Sequence, residues 1–214
     1  MSEIRFFQLN EHTLNVELYG SDITPGHILD EIHLLTKSIQ SQYMPGILDV
    51  WNSYNGIGIS YNPFLYSFED IADTIRKYHS ELAPFNVTKA MPKVLEVRYD
   101  LDSQDIAYVC SRLQLTPEEL VFIHSKPIYT VAMIGFLPGF PYLAGLDPKL
   151  HIPRKTSPGS VKAGTVAIGG AQCGIYPNDS PGGWYGLGYC KQVFFDNKGH
   201  SLFKAGDRIK FKPV

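Results

Sequence analysis

The sequence predicts an α+β protein of two domains, and three observations predict it. Over the first eighty-odd residues, amphipathic helical patterns alternate with short strand-like runs rich in aromatic and β-branched residues. A Pro-interrupted segment near residues 84–92 then breaks the pattern and reads as a linker. From Gly135 to Gly188 the chain carries 12 of its 19 glycines and 7 of its 15 prolines, which excludes continuous helix there. The domains are placed at 1–86, α+β, and 87–214, dominated by short strands.

The N-terminal elements follow in order. IRFFQLN and TLNVELYG read as two strands or one interrupted hairpin. In TPGHILDEIHLLTKSIQSQ, Ile28, Ile32, Leu35 and Ile39 recur at helical spacing, with Pro25 tolerated in the first turn. GILDVWNSYNGIGISYNP holds two strands joined by Asn55-Gly56, the dipeptide best suited to the two positive φ values of a two-residue hairpin turn. SFEDIADTIRKYHSEL is a helix with Ser67 as N-cap, Asp70 three residues on, and Ile71, Ile75, Tyr78 and Leu82 on one face. The order β, α, β, β, α, completed by one further strand, predicts a sandwich of the ferredoxin-like kind.

The second domain opens with the strand VLEVRYD and a helix containing Ile106, Val109, Cys110 and Leu113. A further helix starts at Thr116, with Pro117 in its first position and Glu119 completing a capping box. PIYTVAMIGF reads as a largely buried strand. TVAIGG, CGIYP, KQVFFD and DRIKFKPV are short strands between Gly- and Pro-rich turns, the pattern of a compact barrel or sandwich.

With 44% hydrophobic residues, the 214-residue chain can bury a sizeable core. A formal charge of -2, from 19 basic and 21 acidic residues, and no Lys/Arg cluster give no footprint for nucleic acid or an anionic membrane. The first twenty residues lack a signal-peptide pattern, and no run approaches the ~18 apolar residues of a membrane span. A cytoplasmic location is expected. Cys110, Cys173 and Cys190 are odd in number and widely spaced, which fits reduced thiols, and no metal site is expected.

Candidate functional residues concentrate in the Gly/Pro-rich region. GFLPGFPYLAGL holds two Pro-containing turns with Phe136, Phe140 and Tyr142 presented around them, either as a loop packed under the barrel or as an aromatic-walled pocket. Arg154, beside Lys155, is a surface residue or a bidentate holder of a carboxylate. GSVKAGT lacks the Gly-Lys-Ser/Thr triplet of a phosphate-binding P-loop. His124 ends a helix and is a packing or capping histidine or a catalytic one; Cys173 reads as a buried thiol. In IYPNDSPGGW, Tyr176, Ser180, Gly182, Gly183 and Trp184 stand out. Pro181-Gly182 carries a type II turn signal, and the two glycine N–H groups either bind an anionic oxygen or face water.

GFLPGFPYLAGL, Pro153-Arg154, GTVAIGGAQCGIYP and SPGGW, in that order and spacing, resemble a family with three kinds of member: the B subunit of bacterial 5-oxoprolinase, allophanate hydrolase subunit 1, and a KipI-type inhibitor of a sporulation histidine kinase. The resemblance extends over LTPEELVFIHSKPIYTVAMIGF and the closing GDRIKF. It implies a ferredoxin-like N-terminal domain, a cyclophilin-like β-barrel C-terminal domain, and relation to the carboxyltransferase part of urea carboxylase. It also implies two partners, one a homologous C-like barrel and the other A-like. With these, ATP used at the level of the complex drives the opening of 5-oxoproline to glutamate.

On that reading Arg154 binds a substrate carboxylate or phosphorylated intermediate, while His124 and Tyr176 orient polar groups. The Gly182-Gly183 backbone contacts an oxyanion, and Phe140 and Trp184 wall a site completed by Pro138, Gly139, Gln172 and Ser180. The sequence departs from the family pattern at Ser157-Pro158-Gly159, at Val161 to Thr165 and at Gly188 to Lys191, where Lys162 or Lys191 stands as replacement charge. Two alternatives use the same motifs. One is a binding protein that docks exposed aromatics onto a histidine kinase; the other is a non-catalytic relative of allophanate hydrolase or urea carboxylase components.

Overall fold

The computed structural model describes residues 2–20, 25–82 and 91–214, which fall into two compact units, Met1–Lys89 and Ala90–Val214. Apart from Met91 and Pro92, the expected linker lies outside the described residues.

The first unit runs β1 (Glu3–Asn10), β2 (Thr13–Tyr19), α1 (Pro25–Ser41), β3 (Ile47–Asn52), β4 (Gly56–Tyr61) and α2 (Phe68–Ser80). Its sheet has the order β1-β2-β4-β3, with every neighbour antiparallel. This is the ferredoxin-like arrangement, with the further strand supplied ahead of β2 as β1. Strand alternation sends Leu14, Val16, Leu18, Ile57, Ile59 and Tyr61 to one face, where they meet Ile32, Leu35 and Ile39 of α1 and Ile71 and Ile75 of α2. Each such side chain contributes about 1.5–3 kcal/mol by leaving water. The expected capping box starts α2: Asp70 N–H donates to Ser67 Oγ at 3.2 Å, and Ser67 N–H donates to Asp70 Oδ2 at 2.8 Å.

Two buried ionisable side chains join the helices. Glu31 Oε1 on α1 lies 2.7 Å from His79 Nε2 on α2, and the Ser2 backbone N–H donates to the same carboxylate at 3.3 and 3.4 Å. A buried pair of this kind is costly to break from one side, because the survivor stays buried without its partner.

The β3–β4 hairpin forms, but not through an Asn55-Gly56 turn. Asn52 pairs with Ile57 and Ser53 N–H donates to Gly56 O at 2.8 Å, so Tyr54 and Asn55 are the central residues, and neither Asn55 nor Gly56 takes a positive φ. Gly56 instead lies on the strand, where a Cβ would overlap the backbone carbonyl of Val16 on β2. Its lack of a side chain serves strand approach rather than turn geometry.

The second unit contains β5 (Lys93–Tyr99), α3 (Gln104–Leu113), α4 (Pro117–Ser125), β6 (Tyr129–Ile134), β7 (Pro141–Ala144), a 3₁₀ turn (Pro148–Leu150), β8 (Gly159–Val161), β9 (Thr165–Gly169), β10 (Gln172–Ile175), β11 (Ser180–Gly182), β12 (Tyr185–Tyr189) and β13 (Arg208–Pro213). Seven strands close a barrel in the order β10-β7-β6-β13-β5-β12-β9, and β8 with β11 forms a separate ribbon. Among the described strands of this unit only β13 and β5 pair in parallel, with Ile209 opposite Lys93 and Pro213 opposite Val97. The interior is filled by Leu95, Val97, Val131, Leu143, Val166, Ile168, Leu187, Ile209 and Phe211, with Ile106, Val109 and Leu120 from the helices. The capping box of α4 forms between Thr116 and Glu119 as expected.

KQVFFD is not a strand. Beyond one isolated bridge, Phe195 to Ser201, it is irregular: Phe194 enters the core and Phe195 packs on the Gly139 backbone. Among the described residues, no helix is long and apolar enough to cross a membrane.

These contacts separate two substitutions at one hairpin. Gly56→Ala is expected to destabilise the N-terminal unit by about 1–3 kcal/mol, because β2 must yield, whereas Asn55→Ala, at an exposed position with ordinary φ, stays within about 0.5 kcal/mol of the parent. Urea-unfolding midpoints of the two variants check this.

Candidate functional site

The site is built on the outer face of the barrel wall formed by β7, β10 and β9. Along these strands Leu143, Ile168, Val166, Cys173 and Ile175 point inward to the main core. Their neighbours Tyr142, Ala167 and Tyr176 point outward and, with Phe140 and Trp184, form a separate aromatic cluster. Small residues on the outward face seat the rings. A Cβ on Gly174 would come within 2.7 Å of Phe140, one on Gly169 within 2.7 Å of Trp184, and one on Gly182 would overlap the Tyr176 phenol.

The rings meet edge to face. Phe140 lies 5.1 Å from Tyr176 at 87° and 5.6 Å from Trp184 at 80°, and Tyr142 lies 5.7 Å from Trp184 at 79°, the geometry favoured by aromatic quadrupoles. Phe136 stands over this cluster, 60% exposed, edge-on to Phe140 at 5.5 Å. Its loop is sharply bent. Phe136 has φ 65° and is bracketed by a Leu137 N–H to Gly135 O bond of 2.8 Å, a γ-turn of the strained sense. Pro138 and Gly139 then form a type II turn, with Gly139 at φ 80° and Phe140 N–H donating to Leu137 O at 3.0 Å.

The type II turn expected at Pro181-Gly182 does not form. These residues are extended in β11, with Gly182 opposite Gly159 of β8. Gly182 is required by the close approach of Tyr176, and the neighbouring Gly183 carbonyl accepts from Lys155 N–H at 2.8 Å.

Arg154 lies at the mouth of the cluster. Its Nη2 donates to Gln172 Oε1 at 3.1 Å, and its guanidinium carbon stands 5.5 Å from the centre of the Trp184 ring. The bond to a neutral amide leaves its charge uncompensated, while stacking on Trp184 orients the fork. The adjacent Lys155 is engaged by Asp105 at 2.6 Å, which also accepts from Gly186 N–H at 2.8 Å. Lys162 is paired with Asp179 at 2.7 Å. Burial raises the pKa of the Tyr176 phenol, opposed by a backbone hydrogen bond from Trp184 and by the charge of Arg154. Tyr176 therefore stays neutral near pH 7. The Ser180 hydroxyl is buried without a hydrogen-bond partner among the described residues.

The structure thus gathers Phe140, Arg154, Gln172, Tyr176, Gly182 and Trp184, with Pro138 and Gly139 in the turn that leads into Phe140 and Ser180 and Gly183 on the adjoining ribbon segment. His124 is not among them. It lies fully buried inside the barrel, its Nδ1 2.7 Å from Tyr99 Oη and its Nε2 3.3 Å from Cys173 Sγ. Its ring stacks on Phe211. Desolvation lowers the His124 pKa from 6.5 to about 3 and raises that of Cys173, so the pair is a neutral core contact and not an activated nucleophile. Sequence reasoning missed Gly169 and Gly174 as ring seats, although their place among alternating strand residues is a usable signal. It also missed Asp105, whose partners lie far along the chain.

Residues 4–203 match the family described as carboxyltransferase domain, subdomain C and D. The B subunit of 5-oxoprolinase from Haemophilus influenzae is 38% identical over 190 residues, covering 87% of this chain and 89% of that protein. Among solved structures, TTHA0988 is similar with a TM-score of 0.75 at 30% identity; the match covers 99% of this chain and 40% of that one, so this chain spans about two-fifths of its length. The Kluyveromyces lactis urea carboxylase shares the fold with a TM-score of 0.78 at 17% identity, over 100% of this chain and 22% of that chain.

Two expectations follow from this geometry. Because His124 binds its proton far less readily when folded, the barrel keeps full stability above pH 6.5 and loses it as pH falls toward 3, by about 2 kcal/mol at pH 5; urea unfolding at pH 7 and pH 5 should show this loss, and His124→Gln should flatten it. Gly182→Ala should cost about 1–3 kcal/mol, and adding Tyr176→Phe should recover part of it, a coupling that a double-mutant cycle reads directly.

Proposed function

The chain belongs to the carboxyltransferase subdomain C and D family, and on that premise we propose that it is the B subunit of a 5-oxoprolinase-type amidohydrolase. It works with two further chains, a homologous C-like barrel and an A-like one, and ATP is used at the level of the complex to open 5-oxoproline to glutamate. The relatives that carry the name of the 5-oxoprolinase B subunit, 30–38% identical over 79–87% of this chain, support the reaction class. The observation that carries the role of this chain is Arg154, whose guanidinium is held by the neutral Gln172 amide and the Trp184 face.

In this role Arg154 receives the substrate carboxylate as a charge-assisted, fork-shaped contact. Phe140, Tyr142 and Trp184 exclude water beside it, which strengthens that contact. The neutral Tyr176 phenol and the Ser180 hydroxyl are the polar groups available for orientation. His124 takes no part, because the barrel wall stands between its ring and the aromatic cluster. The kinase-binding alternative is not favoured: the relatives at 30–38% identity carry the 5-oxoprolinase name, and of the motif aromatics Phe140, Tyr176 and Trp184 pack on one another and are only 1, 2 and 6% exposed, which leaves Phe136 as the exposed ring of the cluster.

The test is reconstitution. The chain co-purified with its C-like and A-like partners is expected to release ADP in a 5-oxoproline-dependent manner, and an assembled complex without such activity would overturn the proposal. Within an active complex, Arg154→Ala should lower kcat/KM by about tenfold to a hundredfold, the value of a charge-assisted contact, mostly through KM, with Arg154→Lys recovering part of the loss.

A further inference from the structure

A second concavity lies on the barrel's outer wall around β5, away from the aromatic cluster. Its volume is about 410 Å³, and Glu96, Arg98, Tyr189, Lys191, Gln192 and Val214 are among its lining residues. Arg98 on β5 and Tyr189 on β12 are direct cross-strand partners, so both project from the same outward face. Glu96, two residues earlier, shares that face. Its carboxylate is held by Lys212 at 2.8 Å, opposite it on β13, and this pairing lowers the Glu96 pKa.

The remaining side-chain charges are not paired. Neither the Arg98 nor the Lys191 side chain has a hydrogen bond or ion pair to another side chain among the described residues, whereas Lys93, Lys155, Lys162 and Lys212 each have an acidic partner. The region therefore holds three cationic side chains against one side-chain carboxylate, and that carboxylate is already engaged. A solvated guanidinium and ammonium without side-chain partners among the described residues attract an anion into the cavity they line, the guanidinium through its planar fork and the ammonium as a point charge. The Tyr189 phenol and Gln192 amide supply neutral donors at the same rim.

The geometry points to a second ligand site here, one that takes the oxyanion group of a small molecule, a carboxylate or a phosphate, between Arg98 and Lys191. The site is independent of the proposed amidohydrolase role: Trp184, just before β12, belongs to the aromatic cluster, whereas Tyr189 ends that strand at the cavity, so Lys191, expected as replacement charge for the substrate site, lines this second cavity instead. A strand of this length separates the two by roughly 15 Å. A volume of this size suits a compact acid or phosphate ester.

Calorimetric titration of the full chain with inorganic phosphate, and separately with glutarate, tests the site. At least one anion is expected to bind saturably, more weakly as salt is raised, and the tighter of the two identifies the oxyanion. Arg98→Gln and Lys191→Gln should each weaken binding about tenfold or more. Both side chains are exposed, so the urea midpoint should stay in place and a loss of binding reads as a loss of contact. Arg154→Ala should leave the affinity within about twofold, as a distant independent site does. No saturable binding of either anion, binding that survives both glutamine substitutions, or binding that Arg154→Ala weakens equally would overturn the inference.

Discussion

The wall made by β7, β10 and β9 is packed on both faces, and the two-residue alternation of its strands decides what each residue in it can do. Inward, Leu143, Ile168 and Cys173 meet the core. Outward, Gly174, Ala167 and Gly169 must be small because Phe140 and Trp184 lie directly on them. Shifting the register by one residue would send Ile168 and Ile175 under the aromatic rings and the glycines into the core, so the register that fills the barrel also creates the site. The same alternation keeps His124 and Tyr176 apart, one on each side of the wall.

Electrostatics around Arg154 work by subtraction. Lys155 and Lys162 are close to it in sequence, yet Asp105 and Asp179 engage them. Asp105 also accepts from the Gly186 backbone, so that contact fixes strand β12 as well as the lysine. What remains beside the aromatic cluster is a single oriented guanidinium. A site with one directional cation and apolar walls can distinguish ligands by shape around a fixed carboxylate, which several mobile ammonium groups could not do.

Much of this was legible in the sequence. Helix starts at Ser67 and Thr116 were readable because a capping box is a local code, complete within four residues. The α+β class followed from periodicities, and the particular cyclophilin-like closure only from family resemblance. The failures share one cause. Asn55-Gly56 and Pro181-Gly182 carry strong turn chemistry, but at Gly56 the backbone of Val16, and at Gly182 the ring of Tyr176, makes the demand that glycine answers. A local signal shows that a side chain must be absent; it does not show whether φ or a distant neighbour requires it. KQVFFD failed for a related reason, since Phe194 enters the core and the half-buried Phe195 packs on the Gly139 backbone, contacts that no local signal shows. At the site, Arg154 and the aromatic residues were visible as motif members. The loss of His124 was not, because only the closed barrel shows which face of the wall a residue occupies.

The parallel pairing of β5 with β13 has a consequence for the history of the chain. Lys93 to Val97 find their partners at Ile209 to Pro213, so β5 is synthesised more than a hundred residues before the strand that covers its edge. At ~5–20 residues per second, β5 waits on the order of ten seconds at the ribosome with that edge unpaired. The first unit, whose strand partners all lie between Glu3 and Tyr61, can complete its sheet in the meantime. The barrel is therefore the half of this protein with the higher contact order and the slower assembly, and its unfinished form is the species that a nascent-chain chaperone would meet.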